Sequence, residues 1–384
     1  MPGKAILNGT VYTPSEKIEA GVVLISGGQI EAVGRQGEVE IPPNTEIFDA
    51  AGMAIAPGFV DVHMHGVLGK DCMGIGLAEV IPALPAYGVT SFMATTLTYP
   101  RPEVIEALET ISEILSSPPS GAHCLGIHLE GPHLSPKRPG MATADWVYPL
   151  SSQDFDVLQK AADGRIRMIT FAPEEPGAMQ AIPALVANGV VPVIGHSDAS
   201  YEQVAQAVKL GLNHATHTYN AMRPLQHREP GVVGAVMHFD EIYAELIADG
   251  VHVHPAAMDI LIRVKGLDKV VLISDSAPFA GLPDGEYEWE HKPIFVLEGR
   301  CQLADGTLAG AFATLDMGVR NLVNLLGLPL EKALIPATRS AANSVGAHRK
   351  GRLEAGCDAD IVLLDADIRP AATFVGGRLV WTRP

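Results

Sequence analysis

The chain has 384 residues, 47% of them hydrophobic, enough to bury a large core as one big domain or two smaller ones. A net charge of −17 argues against nucleic acid or an anionic membrane as partner, because either calls for a basic surface. No apolar run approaches the roughly 20 residues of a membrane span, and the opening MPGKAILNGT lacks a signal-peptide core, so a cytoplasmic setting is expected.

The first 57 residues read as short strands broken by glycine and proline: KAILNGTVYTP, GVVLISGGQIEAVG and TEIFDAAGMAIAPG. The last stretch has the same texture, with ADIVLLDADI followed by ATFVGGRLVW, where Gly376-Gly377 predicts a hairpin turn. These ends predict one small β-sandwich domain built from residues 1–57 and 350–384. Cys72, Cys124, Cys301 and Cys357 lie far apart with no C-x-x-C, so no disulfide framework is expected.

Residues 58–349 behave differently. Eight short apolar runs end in polar residues: FVDVHMHG, VTSFMATT, CLGIHLEG, RMITFAPE, VPVIGHSD, HATHTYNAM, YAELIADG and VVLISDS. Helical stretches such as PEVIEALETISEIL, GAMQAIPALVANG, SYEQVAQAVKLG and PAAMDILIRVKG separate them. Alternating buried strands and helices imply parallel βαβ units, and eight imply an α/β fold of the closed (β/α)8 TIM barrel type. The polar ends of all eight runs then converge on one pocket.

His63 and His65 point the same way from the first run, about 6–7 Å apart along a strand. An isolated H-x-H is weak evidence of a metal. Here Glu130 ends the third run, His196 and Asp198 the fifth, His217 the sixth, Asp249 the seventh and Asp275 the eighth. Imidazole with carboxylate suits zinc or a related divalent ion, so this cluster is expected to be a metal site.

With those residues assembled, the chain resembles the amidohydrolase superfamily and, within it, the N-acetylglucosamine-6-phosphate deacetylase family. The matching stretches are PGFVDVHMHG with Gly69-Lys70-Asp71, GIHLEGPHLSPKRPG, GHSDA, THTYNAM, REPGVVGA, ADGVHV, ISDS, AGLPDGEY and LADGTLAG. The resemblance implies hydrolysis of an N-acetyl amino sugar phosphate to acetate and the free amine. It implies that Glu130, His196 and His217 hold a main metal ion, most simply zinc. His63 and His65 match the pair that in some members completes a second site sharing Glu130, while other members replace the pair with amides and use one metal. One or two ions per subunit are therefore expected. Asp275 matches the catalytic acid/base. Asn220, the backbone of Ala221, His252 and Arg228 match contacts to the sugar phosphate, the arginine coming from the neighbouring subunit of a homodimer.

One departure stands out. The family has a histidine in a G-x-H after the HLEGP loop, where this chain reads Gly140-Met141-Ala142. Ala142 therefore occupies a substrate-contact position without the side chain, which opens alternative substrates: unphosphorylated N-acetylglucosamine, the galacto isomer or another N-acyl compound. His133 is a candidate replacement, and Lys137 and Arg138 are further candidate phosphate cations. A cyclic-amide hydrolase would draw a carboxylated lysine from the fourth run, but RMITFAPE has none and Glu130 takes the bridging place. A catalytically dead binding barrel is the rival from another class, and the intact ligand and acid/base set argues against it.

Other polar residues have plainer expected roles. Ser197 or Asp198 is expected to cap the next helix. His128 and His214 lie deeper in their strands, as hydrogen-bonded support. His254 is expected to face solvent or a loop. His123, His238, His291 and His348 are expected at the surface.

Overall fold

The computed structural model describes residues 3–289 and 292–384, so His291 lies outside the described residues. Eight parallel strands form the barrel: β1 (Phe59–Met64), β2 (Val89–Thr95), β3 (His123–Glu130), β4 (Ile166–Phe171), β5 (Val191–Ile194), β6 (His214–Ala215), β7 (Tyr243–Ile247) and β8 (Val270–Ile273). Their order in the sheet follows the chain. The ring closes between β8 and β1, where Asp275 N donates to His63 O at 2.9 Å and His65 N to Ser276 O at 3.0 Å. Ser274 N adds a bond to Asp61 Oδ1 at 3.2 Å. All eight predicted runs are barrel strands, and those forming β1, β2 and β8 are buried along their whole length, as expected of strands covered on both faces.

The predicted helices stand between the strands, as Arg101–Ser116, Ala178–Ala187, Tyr201–Leu210 and Pro255–Lys265. Helix Tyr201–Leu210 corrects one expectation. Its N-cap is Ser200, which shares a capping box with Gln203, rather than Ser197 or Asp198.

Both chain ends enter one eight-stranded sheet, joined where Ala54–Pro57 runs antiparallel to Ile361–Leu364. Phe48 and Phe374, on strands not bonded to each other, meet edge to face at 5.1 Å, so the sheet closes over a shared core. Gly376 and Gly377 turn the last hairpin. All four cysteines are free, and no described helix is long and apolar enough to cross a membrane.

The segment after β8 carries no element predicted from its residues. In the structure, Gly285–Trp289, Lys292–Leu297, Arg300–Gln302 and Leu308–Ala311 form a four-stranded antiparallel sheet there. Its apolar side packs Ile294, Val296 and Ala309 with Leu97, Ala277 and Phe279 at the barrel mouth. Ala311 N donates to Asp275 O at 2.7 Å, which ties this cover directly to the end of β8.

Candidate metal centre and active site

Side chains two apart on a strand share a face, so His128 and Glu130 both point into the barrel from β3. Glu130 is the hub. Its Oε1 lies 3.1 Å from His217 Nε2 and 3.3 Å from His196 Nε2, and its Oε2 lies 3.1 Å from His63 Nε2 and 3.2 Å from His65 Nε2. Asp275 Oδ1 stands 3.1 Å from His65 Nε2 and 3.5 Å from His63 Nε2. The six residues expected to form the centre therefore meet in one place.

They divide into two donor sets, Glu130 with His196 and His217, and His63 with His65 and Asp275. In the first set the two imidazole nitrogens are 3.0 Å apart. That spacing and the 3.1 and 3.3 Å distances to Glu130 approach the ~3.4 Å edge of a tetrahedron whose metal–nitrogen bonds are about 2.0–2.1 Å. Three donors so close, with two nitrogens facing each other, fit an ion at their centre. A third grouping of His63, His128 and Glu245 does not fit one. His128 Nδ1 must donate to Val62 O at 3.2 Å, and its Nε2 is engaged by Thr170 Oγ1 at 2.7 Å, so no lone pair is free.

Charge supports the same reading. Burial opposes ionisation of Glu130, but His63, then His196 and His217, hold its carboxyl well below the ordinary carboxylate range. Burial likewise opposes protonation of His65, yet Asp275 and Glu130 lift it to about 9. Asp275 stays below its usual value because His63 and His65 outweigh its burial. Buried carboxylates thus make this a place that holds positive charge.

Two ring orientations are fixed from outside. His196 Nδ1 donates to Arg138 O at 3.0 Å, leaving Nε2 as a lone pair aimed at Glu130. Arg138 is itself held by Asp198 through Nε at 3.0 Å and Nη2 at 2.9 Å. Gly140 lets this loop approach, since a Cβ there would stand 2.8 Å from His196 Cε1 and its φ is +63°. His63 Nδ1 faces Glu245 Oε2 at 2.9 Å. Backbone strain gathers here too: His196, His217, Ala221 and Asp275 all have positive φ, at 47°, 23°, 49° and 48°.

A cavity of about 420 Å³ opens above the cluster. Its wall includes Asn220, Ala221, His252 and Ala142 among the expected substrate contacts, with Lys137 and Arg138. Met141, Trp289 and Leu308 make much of the rest apolar. Trp289 donates its indole N–H to Asp71 Oδ2 at 2.8 Å, and its ring lies 5.6 Å from that of His65.

Arg228, expected to serve a neighbouring subunit, is exposed and lies outside the lining of this cavity in the single chain. Other expectations need correction. Asp249 does not line the cavity; it bonds His252 Nδ1 at 2.6 Å and aims that ring. Asp198 acts through Arg138. His133 is turned away, with Nδ1 on Tyr148 O at 3.2 Å and Nε2 3.6 Å from Asp154. His254 is exposed, as expected, and caps helix Pro255–Lys265. His123, His238 and His348 are exposed and His214 supports Glu245 at 3.0 Å, as expected. Glu245 and Trp289 were not anticipated; Glu245 had one signal, a lone carboxylate at an inward position of an otherwise apolar run.

Residues 54–380 match the model of the amidohydrolase family. The chain belongs to that family. This amidohydrolase is 36% identical over 378 residues to the N-acetylglucosamine-6-phosphate deacetylase of Bacillus subtilis (strain 168), spanning 97% of this chain and 95% of the relative. It is 34% identical over 330 residues to the N-acetylgalactosamine-6-phosphate deacetylase of Escherichia coli O157:H7, at 85% and 87% coverage. Among solved structures, a mutant N-acetyl-D-glucosamine-6-phosphate deacetylase of Mycobacterium smegmatis in complex with N-acetyl-D-glucosamine-6-phosphate matches at TM-score 0.91 and 31% identity over 100% of both chains. The Pasteurella multocida deacetylase matches at TM-score 0.92 and 30% identity, over 98% of this chain and 99% of that one. The amidohydrolase family is metal-dependent, in keeping with the two donor sets.

Proposed function

We propose that the protein hydrolyses the acetamide of N-acetyl-D-glucosamine 6-phosphate, releasing acetate and D-glucosamine 6-phosphate. The observation that carries this reading is one carboxylate, Glu130, facing two histidine sets within 3.3 Å while Asp275 stands 3.1 Å from the second. Relatives at 36% and 31% identity over nearly the whole chain are deacetylases of that sugar phosphate.

Glu130, His196 and His217 would hold the main divalent ion, which we take to be zinc, and His63 and His65 with Glu130 a second. A divalent ion supplies Lewis acidity, lowering the pKa of water towards about 7 and polarising an acyl oxygen. Asp275 accepts the proton of the attacking water on its carboxylate and returns it to the leaving amine nitrogen, acting first as base and then as acid. Its backbone is bonded on both sides, to His63 O and from Ala311 N, which holds that carboxylate in one position. Trp289, Met141 and Leu308 would exclude bulk water from the acyl end.

At the other end, Asn220, the backbone of Ala221 and His252 would take the sugar phosphate, with Arg228 supplied by the partner of a homodimer. The exposure of Arg228 is what a residue reaching outward requires. We place the enzyme in the cytoplasm and take residues 1–57 with 350–384 as a domain separate from the barrel of 58–349.

A second reading, the galacto epimer, is favoured by one observation: Ala142 lines the cavity with a methyl group and no polar atom to hydrogen-bond substrate. Acetate release on N-acetylglucosamine and N-acetylgalactosamine, each with and without 6-phosphate, tests both. The glucosamine phosphate should give the highest kcat/KM. Equal rates with and without phosphate would remove the roles given to Arg228 and His252.

A further inference from the structure

Glu245, midway along β7, is fully buried and does not line the cavity above the cluster, yet four groups converge on its carboxylate. Oε2 accepts from His63 Nδ1 at 2.9 Å, Thr216 Oγ1 at 2.9 Å and His217 N at 3.1 Å, and Oε1 accepts from His214 Nε2 at 3.0 Å. Burying a carboxylate costs several kcal/mol unless it is fully hydrogen-bonded, and here it is.

We infer that Glu245 is a positioning residue that makes His63 a ligand of a second divalent ion, so that occupancy of this second position depends on it. This rests on the reading of the two donor sets as metal sites. The first step is tautomer chemistry. An imidazole ligates through a deprotonated nitrogen, and which nitrogen that is depends on what the other one meets. Ionised carboxylate only accepts, so Nδ1 of His63 carries the proton and Nε2 presents its lone pair to Glu130 and Asp275. The Thr216 hydroxyl, 2.9 Å from the same Nδ1, could have served either tautomer, but its proton is committed to Glu245.

Charge is the second step. Glu130 and Asp275 are both buried, and Glu245 adds a third negative charge beneath His63 without entering the cavity. A second divalent ion is thereby favoured over a single one.

The two sets are anchored separately. His196 takes its orientation from the Arg138 carbonyl, and His217 meets Glu245 only through its backbone N–H. The Nδ1 atoms of His217 and His65 are both buried without a partner, so each set has one anchored ring. In the main set the anchor is the Arg138 carbonyl, and in the His63 set it is Glu245, the one carboxylate or carbonyl among the described residues bonded to the outer nitrogen of His63 or His65.

Glu245→Gln tests this, because it keeps the shape, loses the charge and can turn an N–H toward Nδ1. Zinc affinity and stoichiometry are measured on the whole chain by chelator competition and elemental analysis, with no substrate present. Wild type should bind two zinc ions. Glu245→Gln should weaken the second by about 10–100-fold and the first by less than about 3-fold. His63→Asn should bind one, and adding Glu245→Gln to it should leave that remaining ion unchanged. Equal weakening of both ions, continued weakening in the His63→Asn background, or unchanged affinity would each overturn the inference. A wild-type chain that binds a single zinc overturns it while leaving the deacetylase reading intact. A chain that binds two zinc ions but releases no acetate does the reverse.

Discussion

Asp275 Oδ1 stands 3.1 Å from His65 Nε2, while the Asp275 N–H donates to the carbonyl of His63 at 2.9 Å. The Asp275 carboxylate and the H-x-H pair are therefore one rigid unit across the closing seam of the barrel. The same contact that shuts the ring between β8 and β1 sets that carboxylate beside the two histidines.

Asp275→Asn keeps the shape and removes the basic oxygen. Turnover should fall by about 10²–10⁴-fold, while substrate affinity and zinc at the Glu130, His196 and His217 set are retained. Single-turnover acetate release with parallel elemental analysis checks both parts. Retained turnover would move the proton transfer to another group.

Glu130 faces four imidazole nitrogens at 3.1 to 3.3 Å. Glu130→Gln should therefore deplete both ions, not one, and abolish acetate release. Zinc counted per chain after dialysis distinguishes this from the selective loss expected at Glu245.

Asp198 holds the Arg138 guanidinium, and the Arg138 carbonyl orients His196. Asp198→Ala should weaken the main ion by about 10-fold, the lower end expected when a group supporting a ligand is lost. The readout is zinc affinity, with circular dichroism confirming that the fold is unchanged.

Asp71 bonds the buried Trp289 indole at 2.8 Å. Asp71→Ala leaves that N–H unpaired, which should cost about 1–3 kcal/mol of stability in denaturant unfolding. The cover over the acyl end should loosen with it and raise KM more than it lowers kcat.

Arg228 is tested by subunit mixing. Arg228→Ala and Asp275→Asn homodimers should each be nearly inactive on the phosphorylated substrate. Mixed dimers pair an intact Asp275 with an arginine from the partner, so activity should return. No recovery would mean that the arginine serves its own subunit or none.

Much of this architecture could be read from the chain because each barrel strand ends in the residue it delivers. CLGIHLEG is both a strand and Glu130; HATHTYNAM is both β6 and His217, although β6 is only His214–Ala215. What stayed hidden had no such adjacency. Glu245 sits inside AELIADG, where one polar residue at alternate spacing also suits an exposed strand face. The Arg138 carbonyl that orients His196 is backbone and carries no residue signature. Asp198 shares the sequence pattern of a helix cap with Ser200, and Ser200 takes the cap because Gln203 completes its box. The cover sheet uses strands of three to six residues with Glu286, Lys292 and Arg300 among them, too short and too charged to show a periodic face.

Metal-assisted hydrolysis at the Glu130 centre is tested most directly by acetate release from N-acetyl-D-glucosamine 6-phosphate by protein stripped of divalent ions, before and after zinc is returned. The stripped protein should be inert and should recover full turnover as the main site fills. Undiminished turnover by protein verified to hold no divalent ion would contradict it.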